Sequence, residues 1–191
     1  MEKKEHLIDV QPIRSKEQIE DMKWALKRHC SERDYILFLI GINTGLRVSD
    51  ILRLKKEQII KLKKKSGRRE FKIKEGKTKK ERMINVTSIF DEIYLYATSL
   101  DSEWLFPSRK GDKAISKIQA YRQLQKAGDF AGIESIGTHT MRKTFGYWFY
   151  KQTKDVATLQ GILNHSTPKI TLTYIGINKE ETDNILDLFR L

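Results

Sequence analysis

Near the end of the chain, Tyr174 follows His165 by nine positions. Upstream stand His139-Thr140-Met141-Arg142 and a lone arginine in Thr44-Gly45-Leu46-Arg47. Together they offer a nucleophile, two imidazoles and two guanidinium groups, a set suited to attacking a phosphodiester without a metal or a nucleotide. A phenol of pKa about 10 is a weak nucleophile at neutral pH. Tyr174 therefore needs cationic and imidazole neighbours to stabilise the developing phenolate. The planar fork of an arginine can hold two oxygens of one phosphate, which a lysine cannot do. His139 and Arg142 stand three apart, on one face of a helical turn that Thr138 or Thr140 can cap. The positive end of that helix is a natural place for a phosphate oxygen. Arg47, at a break between two helices, could equally pair with Asp50 or Glu57.

Charge is concentrated in one place. Of a net +12, the stretch from Arg53 to Arg82 carries fifteen Lys and Arg against four Glu, in about a sixth of the chain. Clustering on this scale points to a polyanion surface, most simply nucleic acid. A membrane surface would want an amphipathic apolar face, which this segment lacks. Inside the stretch, Phe71–Lys74 and Arg82–Val86 alternate with period two around Glu75-Gly76-Lys77-Thr78-Lys79-Lys80, the pattern of a β-hairpin with a basic tip. Gly76-Lys77-Thr78 is not a nucleotide-binding P-loop, because position 71 is Phe71 rather than glycine and a hairpin replaces the strand-to-helix turn. A lysine on such a tip could deliver a proton to a leaving alkoxide or contact a phosphate.

The bulk properties fit this chemistry. With 191 residues, 39% of them hydrophobic and 32% charged, the chain can bury a core and reads as one globular domain. The apolar run Tyr35–Ile42 is too short to span a bilayer, and the charged N-terminus is no secretory signal. One cysteine, Cys30, excludes an intrachain disulfide or a Cys-based zinc cluster. No carboxylate or cysteine stands at ligand spacing beside His139 or His165, so no metal is expected. The cytosol is the default compartment.

The elements that must position these residues are mostly helical. A capping box at Ser15 and Gln18 opens a first helix towards Cys30. An apolar helix runs from Arg33 to Ile42 and is ended by Thr44-Gly45, with Ser49 or Asp50 placed to cap the short helix beyond. Further helices are predicted over 88–98, 113–127, 140–150, 156–163, 169–174 and 180–189, with a short extended piece at Trp104–Pro107. The expected class is mainly α with one small antiparallel sheet.

Taken in order, these motifs resemble the catalytic domain of tyrosine recombinases, the phage integrase family. The residues that carry the likeness are Thr44–Asp50, Gly76-Lys77-Thr78 with Lys80-Glu81-Arg82, His139–Phe145, Leu163–Ser166 and Thr173-Tyr174. The resemblance runs from about Pro12 to Leu191. The resemblance implies a role for each residue. Arg47 and Arg142 would clamp the scissile phosphate, and Lys77 would protonate the departing 5′ oxygen. His139 would assist proton transfer at the tyrosine, and His165 would donate a hydrogen bond to the phosphate. Tyr174 would attack to give a 3′-phosphotyrosyl bond. Lys79, Lys80, Arg82 and Lys143 would contact DNA. No cofactor, metal or ATP is implied. The expected partners are double-stranded DNA bearing recombination sites and other copies of the chain. It would be a monomer when free and a tetramer on paired sites, with the apolar stripe Ile185, Leu186, Leu188 and Phe189 docking on a neighbour or packing on its own domain.

Two departures from the family pattern stand out. There is no room before Pro12 for the usual upstream core-binding domain, which implies a short one-domain member, a shortened piece or a defective remnant. Asn164 also stands where a glycine often precedes the second histidine, a change expected to be tolerated. A DNA-binding module without catalysis and a type IB topoisomerase are the competing readings.

Overall fold

The computed structural model describes residues 10–64 and 67–190. Its helices are α1 (Lys16–His29), α2 (Glu32–Thr44), α3 (Val48–Ile51) and α4 (Lys56–Ile60), the last running into a 3₁₀ turn at Lys61–Lys64. After the two strands come α5 (Phe90–Thr98), α6 (Lys117–Phe130), α7 (Thr140–Thr153), α8 (Val156–Leu163), α9 (Pro168–Ile175) and α10 (Ile177–Leu188). Strands β1 (Glu70–Lys74) and β2 (Glu81–Asn85) pair antiparallel, with Phe71 opposite Ile84 and Ile73 opposite Arg82. The chain is thus mainly helical with a small antiparallel sheet, as its periodicities predict.

Most boundaries follow from local chemistry. Ser15 caps α1 by accepting the Gln18 N–H at 3.2 Å. The sixth helix begins at Lys117 rather than at 113 because Ala114 bridges Pro107 and the Ile115 N–H is spent on the Phe106 carbonyl. Ser116 then caps it in a reciprocal box with Gln119. Two expected caps are corrected. Ser49 and Asp50 lie inside α3, whose cap position is Arg47. At α7 the cap position is His139, which makes no side-chain cap bond, while the Thr140 hydroxyl accepts the Gly137 N–H instead.

The second helix is the centre of the fold. Residues Tyr35–Ile40 are buried all round it, the mark of a core helix rather than a surface one. Helices α1, α5, α6 and α7 pack on it. A second, smaller hydrophobic cluster joins Tyr147, Leu159, Leu163, Ile175 and Ile177. The seventh helix belongs to both clusters, lending Met141 to the first and Tyr147 to the second. An extended segment ahead of α1 ties them further, with the Ile13 N–H on the Thr144 hydroxyl and the Trp148 indole N–H on the Ile13 carbonyl. The tenth helix packs on α9 and leaves Leu186, Leu188 and Phe189 exposed. Its apolar stripe is therefore not buried in its own core, and the Ile185 side chain lies outside the described residues. No helix among the described residues is long and apolar enough to cross a membrane.

The turn after α2 is the tightest point. Gly45 closes the helix at φ +63°, and a Cβ there would lie 2.4 Å from the Phe145 ring. Left-handed backbone and contact with an aromatic ring both demand glycine. Gly45→Ala is therefore expected to lose at least ~2 kcal/mol, by denaturant unfolding, from φ strain plus overpacking. A loss below ~0.5 kcal/mol would contradict this account of the turn.

Candidate active site

The structure gathers the candidate residues from five separate segments. Arg47 stands at the cap of α3, immediately past the carbonyl end of α2. Arg142 rises from the first turn of α7 and is 2% exposed. One terminal nitrogen donates to the Gly45 carbonyl, and the other donates to the Leu163 carbonyl at 2.6 Å. The guanidinium thus bridges the C-terminal ends of α2 and α8, where helix carbonyls lack partners. Two carbonyls use only part of its five-donor fork.

Tyr174 is carried in the last turn of α9, and its hydroxyl lies 3.1 Å from His139 Nδ1. Its ring meets the His165 ring edge-on, with centroids 4.9 Å apart, and Lys143 Nζ sits 5.3 Å from its centroid. His165 is oriented from behind by the Thr171 hydroxyl, 3.1 Å from Nδ1. The residue before it, Asn164, ends α8 in the left-handed region at φ +50°. A glycine suits that region, and asparagine is the side chain best suited to it after glycine. The Asn164 side chain also accepts a bond from Lys80 Nζ at 2.9 Å, joining the hairpin tip to the end of α8.

Lys77 and Lys79 are exposed on the hairpin tip. Arg82 differs from expectation. It pairs with Ile73 on the inward face of the hairpin, donates to the Thr44 carbonyl at 2.6 Å and approaches Glu75 at 3.7 Å. These contacts tie it into the framework of the site. The period-two pattern already contained this, since Arg82 is in phase with the buried Ile84. Arg47 pairs with neither Asp50 nor Glu57. Its partner is Glu75, at 2.8 Å, while Asp50 accepts from Arg53 and from the Gly76 N–H. The signal for Glu75 was faint: it is the lone acid between Lys72 and Lys80.

Burial and cation crowding set the protonation states. Burial pushes the Arg142 guanidinium down to about 10, leaving it cationic at neutral pH. Burial, then the charges of Arg142, Lys143, Arg47 and Lys77, lowers His139 below its ordinary 6.5. Burial, Arg142 and Arg47 do the same to His165. Burial raises the Tyr174 phenol, against the opposing pull of Arg142 and Arg47. The resting site therefore holds a protonated phenol beside a neutral imidazole, and the tautomer protonated on Nε2 leaves Nδ1 free to accept the phenol proton. An open groove of about 580 Å³ runs past Asn43, Arg82, Met83, Phe145, Phe149 and Ile162 and touches none of Arg47, Lys77, His139, Arg142, His165 and Tyr174. A site for a duplex needs an open charged face rather than an enclosed pocket.

A tyrosine, two arginines and two histidines assembled at the meeting of α2, α7, α8 and α9 define a tyrosine recombinase catalytic fold. The sequence pattern of the phage integrase family matches residues 14–181, and the chain belongs to that family. It is 49% identical over 175 residues to the probable integrase/recombinase YoeC of Bacillus subtilis strain 168, covering 91% of this chain and 93% of that one. In fold it is similar to the XerH site-specific recombinase bound to a palindromic difH substrate, with a TM-score of 0.71 at 23% identity, over 92% of this chain and 52% of that one. It is also similar to a lambda integrase tetramer bound to a Holliday junction, with a TM-score of 0.66 at 16% identity, over 86% and 47% of the two chains. The chain thus spans about half the length of these two solved proteins.

The two imidazoles give a direct test. By NMR titration, His139 and His165 are expected to protonate below pH 6.5, the ordinary value. The stability they contribute should be fully present above the unfolded value near 6.5 and fall away as pH drops towards the folded values. A midpoint at or above 6.5 for His139 would mean that the crowding described here is not felt at the ring.

Proposed function

We propose that the chain is one catalytic domain that cleaves and rejoins DNA at specific recombination sites through a 3′-phosphotyrosyl intermediate. The observation that carries this reading is the 3.1 Å approach of the Tyr174 hydroxyl to His139 Nδ1. Burial raises the phenol and holds it protonated at rest, and the charges of Arg142 and Arg47 oppose that rise. In the reaction, Arg47 and the unused donors of Arg142 hold the non-bridging oxygens of the scissile phosphate. Tyr174 Oη attacks phosphorus while its proton passes to His139. The bond from phosphorus to the 5′ oxygen breaks, and Lys77 supplies that oxygen with a proton. His165, fixed by Thr171, donates to the phosphate. One phosphoester replaces another, so a second strand's 5′-hydroxyl can reverse the step without ATP.

Lys79, Lys80 and Lys143 extend the positive surface around the site and are proposed to bind the DNA backbone. A protein that only bound DNA would need neither the Tyr174–His139 pair nor a doubly held Arg142. The exposed stripe of α10 favours a recombinase over a lone topoisomerase, since Leu186, Leu188 and Phe189 are best buried against a second copy on paired sites.

Two experiments follow. Nicked suicide DNA bearing the site should become attached to Tyr174, and Tyr174→Phe should bind it without attachment. Lys77→Ala should slow attachment by roughly 10²-fold or more yet recover on a substrate with a 5′-bridging sulfur, whose thiolate leaves without a proton. An adduct on another tyrosine would sink the assignment, and equal impairment on both substrates would limit Lys77 to placing the DNA. Separately, a chain ended after Asn178 should keep its unfolding free energy within about 0.5 kcal/mol, still form the adduct, and fail in strand exchange. Unfolding of that variant would make α10 part of its own domain's core.

A further inference from the structure

Glu75 is an acid buried among cations. It is 3% exposed, at the base of the hairpin tip. One carboxylate oxygen accepts from Arg47 and from the Thr78 hydroxyl, each at 2.8 Å. The other faces Arg82, whose guanidinium is itself fixed on the Thr44 carbonyl. The backbone of Glu75 closes the turn, its N–H on the Lys80 carbonyl and its carbonyl receiving the Lys79 N–H. The carboxylate is thus framed on every side and has little freedom to swing away.

What it opposes is repulsion. Arg47 and Arg82 both act on Arg142 as like charges, and Arg47 acts on Arg82 in the same way. Left alone, the side chain with no backbone carbonyl to hold it would turn outward to water, and that is Arg47, since Arg142 and Arg82 are tied to the carbonyls of Gly45, Leu163 and Thr44. Burial alone would raise the Glu75 carboxyl, but hydrogen bonds from Thr78 and Arg47 and the charges of Arg47 and Arg82 outweigh it, so the group stays ionised.

We propose that Glu75 is a positioning residue that holds Arg47 on the phosphate clamp against the repulsion of the neighbouring arginines. The inference rests on the recombinase reading above. Glu75 engages one N–H of a five-donor fork, so Arg47 can be held and still present donors to a phosphate. The Glu75 carboxylate contacts Arg47, Thr78 and Arg82 rather than Tyr174 or His139.

The test is single-turnover adduct formation on suicide DNA with the full chain. Glu75→Gln keeps the size and one acceptor but loses the charge. It should bind DNA as tightly as wild type or tighter, since one negative charge is gone. Its cleavage should slow by about tenfold or more, short of the ~10²–10³ cost of losing a transition-state donor. In an Arg47→Ala background the same change should cost less than about twofold, because the effect runs through Arg47. A 5′-bridging sulfur should not rescue it. Should Glu75→Gln unfold, Glu75→Asp keeps the charge, loses reach and should show the same non-additivity with a smaller slowing. An unchanged or faster rate, an equal cost in the Arg47→Ala background, or rescue by sulfur would each overturn the proposal, the last by placing the effect at Lys77. Failure of the wild-type chain to form any adduct would instead fail the recombinase reading.

Discussion

The whole site hangs on one buried guanidinium. Arg142 is bound to the Gly45 carbonyl at the end of α2 and to the Leu163 carbonyl at the end of α8. It thereby links the main hydrophobic core to the smaller cluster that carries the tyrosine. A buried charge without partners would be prohibitive. Here the partners are the unpaired carbonyls at the negative ends of two helices, which both satisfy the cation and fix its plane. Two needs are met together: helix ends that lack hydrogen-bond donors, and a guanidinium that must stay rigid and dry.

The same logic recurs around it. The Thr44 carbonyl takes Arg82, the Gly45 carbonyl takes Arg142, and Arg47 stands just beyond, paired to Glu75. The C-terminal end of α2 is thus a collection point for three arginines, and a single buried carboxylate offsets part of their repulsion. The surplus positive field has a chemical result. Added to burial, the larger cause, it lowers both histidines below their ordinary value, and it opposes the rise in the Tyr174 pKa caused by burial. A neutral base beside a protonated phenol, with cations close by, is a resting state that suits the strand cleavage proposed above.

Local backbone chemistry places the pieces. Gly45 and Asn164 both sit in the left-handed region, ending α2 and α8 so that their last carbonyls point into the site. The close approach of α7 to α9 is allowed by Gly146, where a Cβ would lie 2.7 Å from Ile175. The hairpin tip is held by Lys80 on Asn164 and by the Gly76 N–H on Asp50, so exposed Lys77 rises from a secured base.

Residue types and their spacing were enough to nominate the candidate reacting groups, the Ser15 cap, the glycine stop after α2, the buried character of α2 and the hairpin with its basic tip. These depend on short-range effects: side-chain caps, residues needing positive φ, and apolar periodicity. Even the inward face of Arg82 was readable from its phase with Ile84. Pairing between distant groups was settled by the assembled fold. Arg142 reaches a carbonyl 97 positions away, and Arg47 finds Glu75 across 28 positions instead of Asp50 or Glu57 nearby. It also decided the protonation states, because these follow from burial and from charges brought together out of distant segments. Hydrogen-bond partners and local fields are properties of the assembled space, and no spacing along the chain specifies them.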